Sequence, residues 1–288
     1  MSTQRASSTP RAIASFAELR RQVGQARRAG KVIGLVPTMG ALHAGHLSLV
    51  EAARRECGFT VVTVFVNPLQ FGPDEDFASY PRTLETDLAL LAGPGADLVF
   101  APSTESMFAS RHATYVDPGG VANCWEGQHR PGHFRGVATI VLKLFNLAQP
   151  DRAYFGRKDY QQSLVVRRMV EDLDLPIEVE VCPTVRDADG LALSSRNRYL
   201  SADERRRALS ISSSLRVARQ CVERGTTDAS IIIARIEEML QAVDLTIDYV
   251  AIADPETLES VAEVRGPAIA MIAARVGKTR LIDNAPIG

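Results

Sequence analysis

The stretch KVIGLVPTMGALHAGHLSLV, residues 31–50, decides how this 288-residue chain is read. KVIGLVPTM forms a short apolar strand, and a helix is expected from about His46 through Glu56. Gly40 and Gly45 lie in the turn between them; without Cβ atoms, their backbone amides can approach a phosphate closely. A helix starting near His46 turns its unpaired N–H groups and positive dipole end toward the same place. Helical side chains tilt toward the N-terminus, which aims His46 there, while His43 arrives from the loop. Two imidazoles at a helix start suit a polyphosphate whose charge shifts during reaction. His-x-x-His also fits a metal pair, but no third ligand of suitable spacing follows.

Outward from this stretch, strand-like and helix-like segments alternate. TVVTVFV at 60–66 is a second strand, with six of its seven residues β-branched. A helix over about 83–92 leads to the strand DLVFAP, and Val137, Ile140, Val141, Leu144, Phe145 and Ala148 mark one face of a long helix. RAYFG, a helix over about 159–172 and IEVEV complete the pattern. Strands that are apolar throughout and separated by helices predict a parallel sheet covered on both faces. Such a sheet binds its ligands at the carboxyl ends of its strands, where the quoted turn sits.

After about residue 185 the texture changes. The loop RDADGLALSSRNRYL precedes a helix opened by Ser201 with Glu204 three residues on, a capping-box pattern. A helix over about 228–242 and two strands, TIDYVAIAD and PAIAMIAARV, follow. The expected fold class is therefore α/β: a Rossmann-like parallel-sheet domain over 1–184, with 1–11 disordered, and a smaller C-terminal α+β lid domain over 185–288.

Composition narrows the function classes. The chain carries 33 basic and 34 acidic side chains and is 6% aromatic, which disfavours nucleic-acid binding by bulk charge. No apolar run approaches the roughly 20 residues of a membrane span. Cys57, Cys124, Cys182 and Cys221 form no C-x-x-C pair, so a reducing cytoplasm fits better than a disulfide scaffold. Seven basic residues and one acid within 1–31 suit a transit segment in composition. Phe16, Leu19, Val23 and Ala26 at helical spacing before Gly30 favour instead the first helix of the domain.

Four further strings stand out: FVNPLQF at 65–71, RPGHFRGV at 130–137, FGRKDYQQ at 155–162 and LSSRNRYL at 193–200. Together with His-Ala-Gly-His at 43–46 they resemble, in order and from about residue 12 to the end, the pantothenate synthetase (pantoate–β-alanine ligase) family. That family belongs to the HxGH nucleotidyltransferase superfamily. The resemblance implies an ATP-dependent condensation of pantoate with β-alanine through a pantoyl adenylate, releasing AMP and pyrophosphate. It also implies a cytoplasmic homodimer acting on small molecules, with neither nucleic acid nor membrane as partner.

By the same resemblance, His43, His46, Lys158 and Arg196 carry the chemistry. ATP falls to Met39, Gly40, Gly45, Gly156, Asp159, Val185, Leu193, Ser194 and Ser195, with Val185 and Leu193 flanking the adenine. Gln70 and Gln162 would bind pantoate, with Pro37, Thr38, Asn67, Arg130 and His133 around the acid. A neutral amide both donates to a carboxylate and accepts from hydroxyls, which pantoate presents together. A lysine suits a migrating phosphate, and a guanidinium with hydroxyls suits departing pyrophosphate. The chain departs from the family at Arg157, where glutamate is usual. A helix that offers acids to magnesium in some relatives reads TLETDLALL here, keeping Asp87 with few companions. Mg²⁺ is thus expected mainly on the ATP phosphates, with no protein ligand assigned.

Two rivals stay open at this point: an adenylyltransferase acting on a phosphate ester, and a non-catalytic nucleotide-binding module. Trp125 reads as structural. RVGKTRL at 275–281 contains Gly-Lys-Thr but is no P-loop, because Ile272 stands where the first glycine is required.

Overall fold

The computed structural model describes residues 9–73 and 75–288. They form two compact units: the first runs to Pro118 and takes in 130–156 and 165–182, and the second comprises 119–129, 157–164 and 183–288.

In chain order the first unit has β1 (Arg11–Ile13), α1 (Phe16–Arg28), β2 (Ile33–Thr38), α2 (Ala44–Glu56), β3 (Phe59–Val64), α3 (Leu84–Leu91), β4 (Leu98–Phe100) and α4 (Thr104–Met107). After α5 (Glu126–His129), which lies in the second unit, come α6 (His133–Ala148), β5 (Arg152–Gly156), α7 (Tyr160–Asp172), whose residues to Leu164 belong to the second unit, and β6 (Glu178–Cys182). The six strands pair in parallel in the order β1-β4-β3-β2-β5-β6. β2 lies centrally, and the chain builds outward from it first toward β3 and β4, then toward β5 and β6. Such a reversal of direction opens a crevice at the strands' carboxyl ends. α2 packs through Leu49, Val50, Ala52 and Ala53 against Val36, Val62 and Val99, one side of the sheet at period two. The disordered tail expected over 1–11 needs correction at its end. Residues 1–8 lie outside the described residues, but Arg11 opens β1, whose backbone is fixed by pairing Arg11–Ile13 with Leu98–Phe100.

The second unit holds α8 (Ala202–Glu223), α9 (Ala229–Gln241) and an antiparallel sheet β7 (Thr246–Ala253), β8 (Ala268–Val276), β9 (Thr279–Ile287). Ala208, Ile211, Leu215 and Ala218 on α8 and Ile232, Ile236 and Leu240 on α9 form single helical faces over Ala270, Ile272 and Ala274 of β8. Each fully buried Ile or Leu contributes about 1.5–3 kcal/mol. The Ser201–Glu204 capping box forms in both directions. β9 is a third strand beyond the two expected, and the Gly-Lys-Thr decoy is its hairpin: Val276 pairs with Thr279, and Gly277 turns the chain at φ +57°. Any Cβ at Gly277 would strike the Glu204 carboxylate.

The expected division at residue 184 also needs correction. It assigns 119–129 and 157–164 to the first domain, whereas both segments pack with the second unit. Their ties are polar and at least partly buried. Gln161 donates to the carbonyls of Val121 and Cys124 at 2.7 and 2.8 Å and accepts from the Glu126 amide. Arg280 of β9 pairs with both oxygens of Glu126 and with Asp248 of β7. Trp125 donates its indole N–H to the Leu258 carbonyl, and the Tyr160 hydroxyl donates to that of Pro255.

Candidate active site

In the first unit, Pro37 and Thr38 close β2, and the Thr38 hydroxyl donates to the Thr63 carbonyl at 2.6 Å while accepting from the Gly40 amide. The next helix begins at Ala44, two residues earlier than expected, because His43 caps it. His43 Nδ1 accepts from the Gly45 amide at 3.2 Å, and His46 Nδ1 accepts from the His43 amide at 3.3 Å. The pair is thus a capping box built from two imidazoles, their ring centroids 4.1 Å apart. A nitrogen that accepts an N–H carries no proton, so each neutral ring bears its proton on Nε2. Both rings are therefore oriented donors at a helix N-terminus.

The turn before them rests on a residue whose role the sequence hid. Asp87 of α3 is only 1% exposed, and its carboxylate accepts from the amides of Ala41 and Leu42 at 3.1 and 2.8 Å and from the Thr83 hydroxyl. Gly40 adopts φ +84°, and a Cβ there would press within 3.0 Å of both the Asp87 carboxylate and Val64. Asp87 thus braces the histidine turn. Among the described residues, no group of three or more His, Cys, Asp or Glu is placed to hold a metal ion.

The turn Pro68–Gln70 follows β3. Asn67 caps it by accepting from the Leu69 amide, and its own amide donates to Gln70 Oε1 at 3.0 Å and to the Gly136 carbonyl at 3.1 Å. Gln70 Nε2 donates to Met39 Sδ at 3.1 Å, which links the acid candidates to the histidine turn. His133 Nδ1 donates to the Gln70 carbonyl at 2.8 Å, leaving Nε2 to accept from Arg130. Arg130 also grips Glu75 with two hydrogen bonds of 2.7 and 2.6 Å. Arg130 and His133 thus brace the glutamine turn. Gly136 allows α6 to reach it: a Cβ there would overlap the Leu69 carbonyl and stand 2.7 Å from the Gln70 nitrogen. Glu75 and Gly136 carry no sequence signal for these roles, since neither contact is local.

In the second unit, Lys158 and Asp159 stand on a short turn, Arg157–Asp159, that follows Gly156 at the end of β5; their side chains pair at 3.3 Å. Gln162 is half-buried on the first turn of α7, beside the wholly structural Gln161. Val185 and Leu193 meet across a small hairpin, where the Leu193 amide donates to the Val185 carbonyl at 3.0 Å. That N–H is therefore engaged within the protein. Arg205 holds the hairpin through Asp187 and Asp189, and its hydrogen bond to Asp189 keeps that carboxyl below the usual carboxylate range. Ser194 caps the turn Ser195–Tyr199 by accepting from the Arg196 amide at 3.3 Å. Lys158 with Asp159 and Ser194 with Arg196 are thus each set at the start of a tight turn.

The sequence profile described as pantoate-beta-alanine ligase matches residues 11–286. A pantothenate synthetase of Moorella thermoacetica is 52% identical over 271 residues, covering 94% of this chain and 96% of that protein. The crystal structure of pantothenate synthetase from Thermus thermophilus superposes with a TM-score of 0.90 at 50% identity, covering 96% of this chain and 98% of that one. The pantoate-beta-alanine ligase of Francisella tularensis, complexed with beta-gamma ATP and beta-alanine, has a TM-score of 0.80 at 31% identity, with 96% and 97% covered.

Proposed function

The chain belongs to the pantoate-beta-alanine ligase family, and we propose from that premise how its residues divide the reaction. A carboxylate is a poor acyl donor because oxide leaves badly. One oxygen of the pantoate carboxylate attacks the α-phosphorus of ATP, the bond to pyrophosphate breaks, and a pantoyl adenylate forms. The amine of β-alanine then attacks the acyl carbon, AMP leaves, and the amine loses a proton as the amide is made. The first step gathers several anionic groups, so positive charge and oriented donors carry most of the catalysis.

One observation carries the assignment: the reciprocal capping of His43 and His46 at the start of α2, tied through Met39 to Gln70. With Nδ1 engaged on each ring, the Nε2–H groups donate to the phosphates without reorienting during the reaction. Gln70 and Gln162 hold pantoate, with Asn67, Arg130 and His133 fixing the turn that presents Gln70 and with Pro37, Thr38 and Met39 at its side. Lys158 and Arg196 neutralise the phosphates as charge migrates, Gly156 and Asp159 take the ribose, Val185 and Leu193 flank the adenine, and Ser194 and Ser195 take the departing pyrophosphate. Gly40 and Gly45 let the backbone approach the nucleotide. Magnesium enters with the ATP phosphates, because the Asp87 carboxylate already accepts from two amides and a hydroxyl. The reading extends to a cytoplasmic homodimer; equilibrium sedimentation of the purified protein tests the assembly.

The chemistry is tested by exchange of labelled pyrophosphate into ATP without β-alanine. Exchange that requires pantoate is expected. Exchange independent of pantoate, or none with pantoate present, would replace the ligase assignment with an adenylyltransferase or a binding module.

A further inference from the structure

The C-terminal hairpin, whose Gly-Lys-Thr string has no P-loop behind it, carries two adjacent buried polar residues midway along β9. Asp283 and Asn284 of β9 are 4% and 5% exposed. The side-chain amide of Asn284 donates to two consecutive carbonyls, those of Arg157 and Lys158, at 2.9 Å each. Asp283 accepts from the Asn284 backbone amide at 2.8 Å and from Arg186 through two bonds of 2.6 and 3.0 Å. Arg186 opens the hairpin that leads to Ser194 and Arg196, bridging to Ala192 across it. Adjacent positions of one strand therefore grip the roots of two segments of the same unit, one bearing Lys158 and the other bearing Ser194–Arg196.

We propose that Asn284 is a positioning residue for Lys158, and that β9 sets the direction from which this lysine reaches the phosphate. The proposal rests on the assignment of Lys158 to the ATP phosphates made above. A lysine side chain has four rotatable bonds, so the setting of its backbone limits where the ammonium can go. The turn spans only three residues, Arg157–Asp159, between the end of β5 at Gly156 and the start of α7 at Tyr160, so a support on its carbonyls sets where the lysine leaves the backbone. Both amide protons of Asn284 are spent on its carbonyls. The opposite end of the side chain points to the same purpose: among the described residues, Asn284 Oδ1 is buried without a hydrogen-bond partner. A buried acceptor in that state is costly, so a residue serving packing alone would be better apolar. The bonds to the lysine turn are what the asparagine contributes there.

The test combines single variants with a double-mutant cycle on the whole enzyme. Asn284→Ala deletes the two donors together with the orphaned acceptor. The expected result is a fall in kcat for pantoate-dependent pyrophosphate exchange of about 10–100-fold, the scale of a misplaced catalytic group, with KM for ATP changing much less. The thermal midpoint should fall by a few degrees for the two lost hydrogen bonds, with the protein still folded at the assay temperature. In a Lys158→Ala background the same substitution should cost almost nothing more, because residues acting as one unit are not additive. Asn284→Asp keeps the shape but turns oxygens toward both carbonyls, and should lower kcat further than alanine does. Parental kcat in Asn284→Ala, or a full additive loss on top of Lys158→Ala, would overturn the proposal. So would loss of the folded state in both variants, since the residue would then hold the fold and not the lysine. Parental turnover in the single variant Lys158→Ala fails the earlier assignment instead, and is read independently of Asn284.

Discussion

The histidine turn of the first unit and the lysine turn of the second are both short loops at strand ends, yet they are held differently. Residues 38–46 are fixed by local hydrogen bonds, Thr38 with Gly40 and His43 with His46, and at their centre by one buried carboxylate, Asp87, with Thr63 and Gln70 holding Thr38 and Met39 at one end. Residues 157–159 and 185–196 depend on a set of distant side chains, Asn284, Asp283 and Arg205, behind which stands the ion cluster of Glu126, Asp248 and Arg280. A loop stapled by its own backbone needs few outside partners. A loop held by distant side chains is only as well placed as each of those partners.

The contrast is broken most forcefully at Arg280. Arg280→Met removes the cation that pairs with the buried Glu126 and bridges it to the partly buried Asp248, and should destabilise the second unit by about 3–5 kcal/mol, read from denaturant unfolding. In the first unit the corresponding weak point is Asp87. Asp87→Asn puts an NH₂ where a backbone N–H now finds an acceptor, and should lower kcat by about 10²–10³-fold through displacement of His43 and His46. The magnesium concentration for half-maximal rate should not move; a large rise would make Asp87 a metal ligand instead. Ser201→Ala removes the cap that starts α8 after the loop, a loss of about 1 kcal/mol in thermal or denaturant unfolding. Least in size is the pH response of Asp189. Its carboxyl is held below the usual range by Arg205, so the stability it lends is complete above that range and fades as pH falls through the lowered value. Hydrogen exchange of residues 187–193 should quicken over that interval, and Arg205→Ala should abolish the change. An unaltered response in that variant would assign the effect to another carboxylate.

Much of the molecule is legible without its structure. β2 to β6 and the six longer helices α1, α2 and α6 to α9 announce themselves by period, and the capping box of α8 by Ser201 and Glu204 alone. β1 escapes because three residues beside a polar tail carry no period, and only pairing with β4 makes them a strand. β9 escapes because Arg280, Asp283, Asn284 and Pro286 interrupt its apolar alternation, and the first three are the residues that bind across the second unit. The motif histidines, glutamines and lysine can be named from sequence. Their supports cannot: Asp87 reads as one acid in a helix, and only its distance to Ala41 and Leu42 reveals its partners. The side chains assigned to ligands cluster in motifs, while those that hold the motifs in place are scattered by the fold.

The contact of Gly136 with the Leu69 carbonyl has a consequence for anyone wishing to change which acid the enzyme accepts. No side chain separates α6 from the turn that presents Gln70, so the two form a single casting with no slack to be redistributed. Enlarging the acid site from that direction would mean recasting helix and turn together. On the proposed assignment, Met39, unbranched and joined to Gln70 through its sulfur, is the wall that can be reshaped one residue at a time.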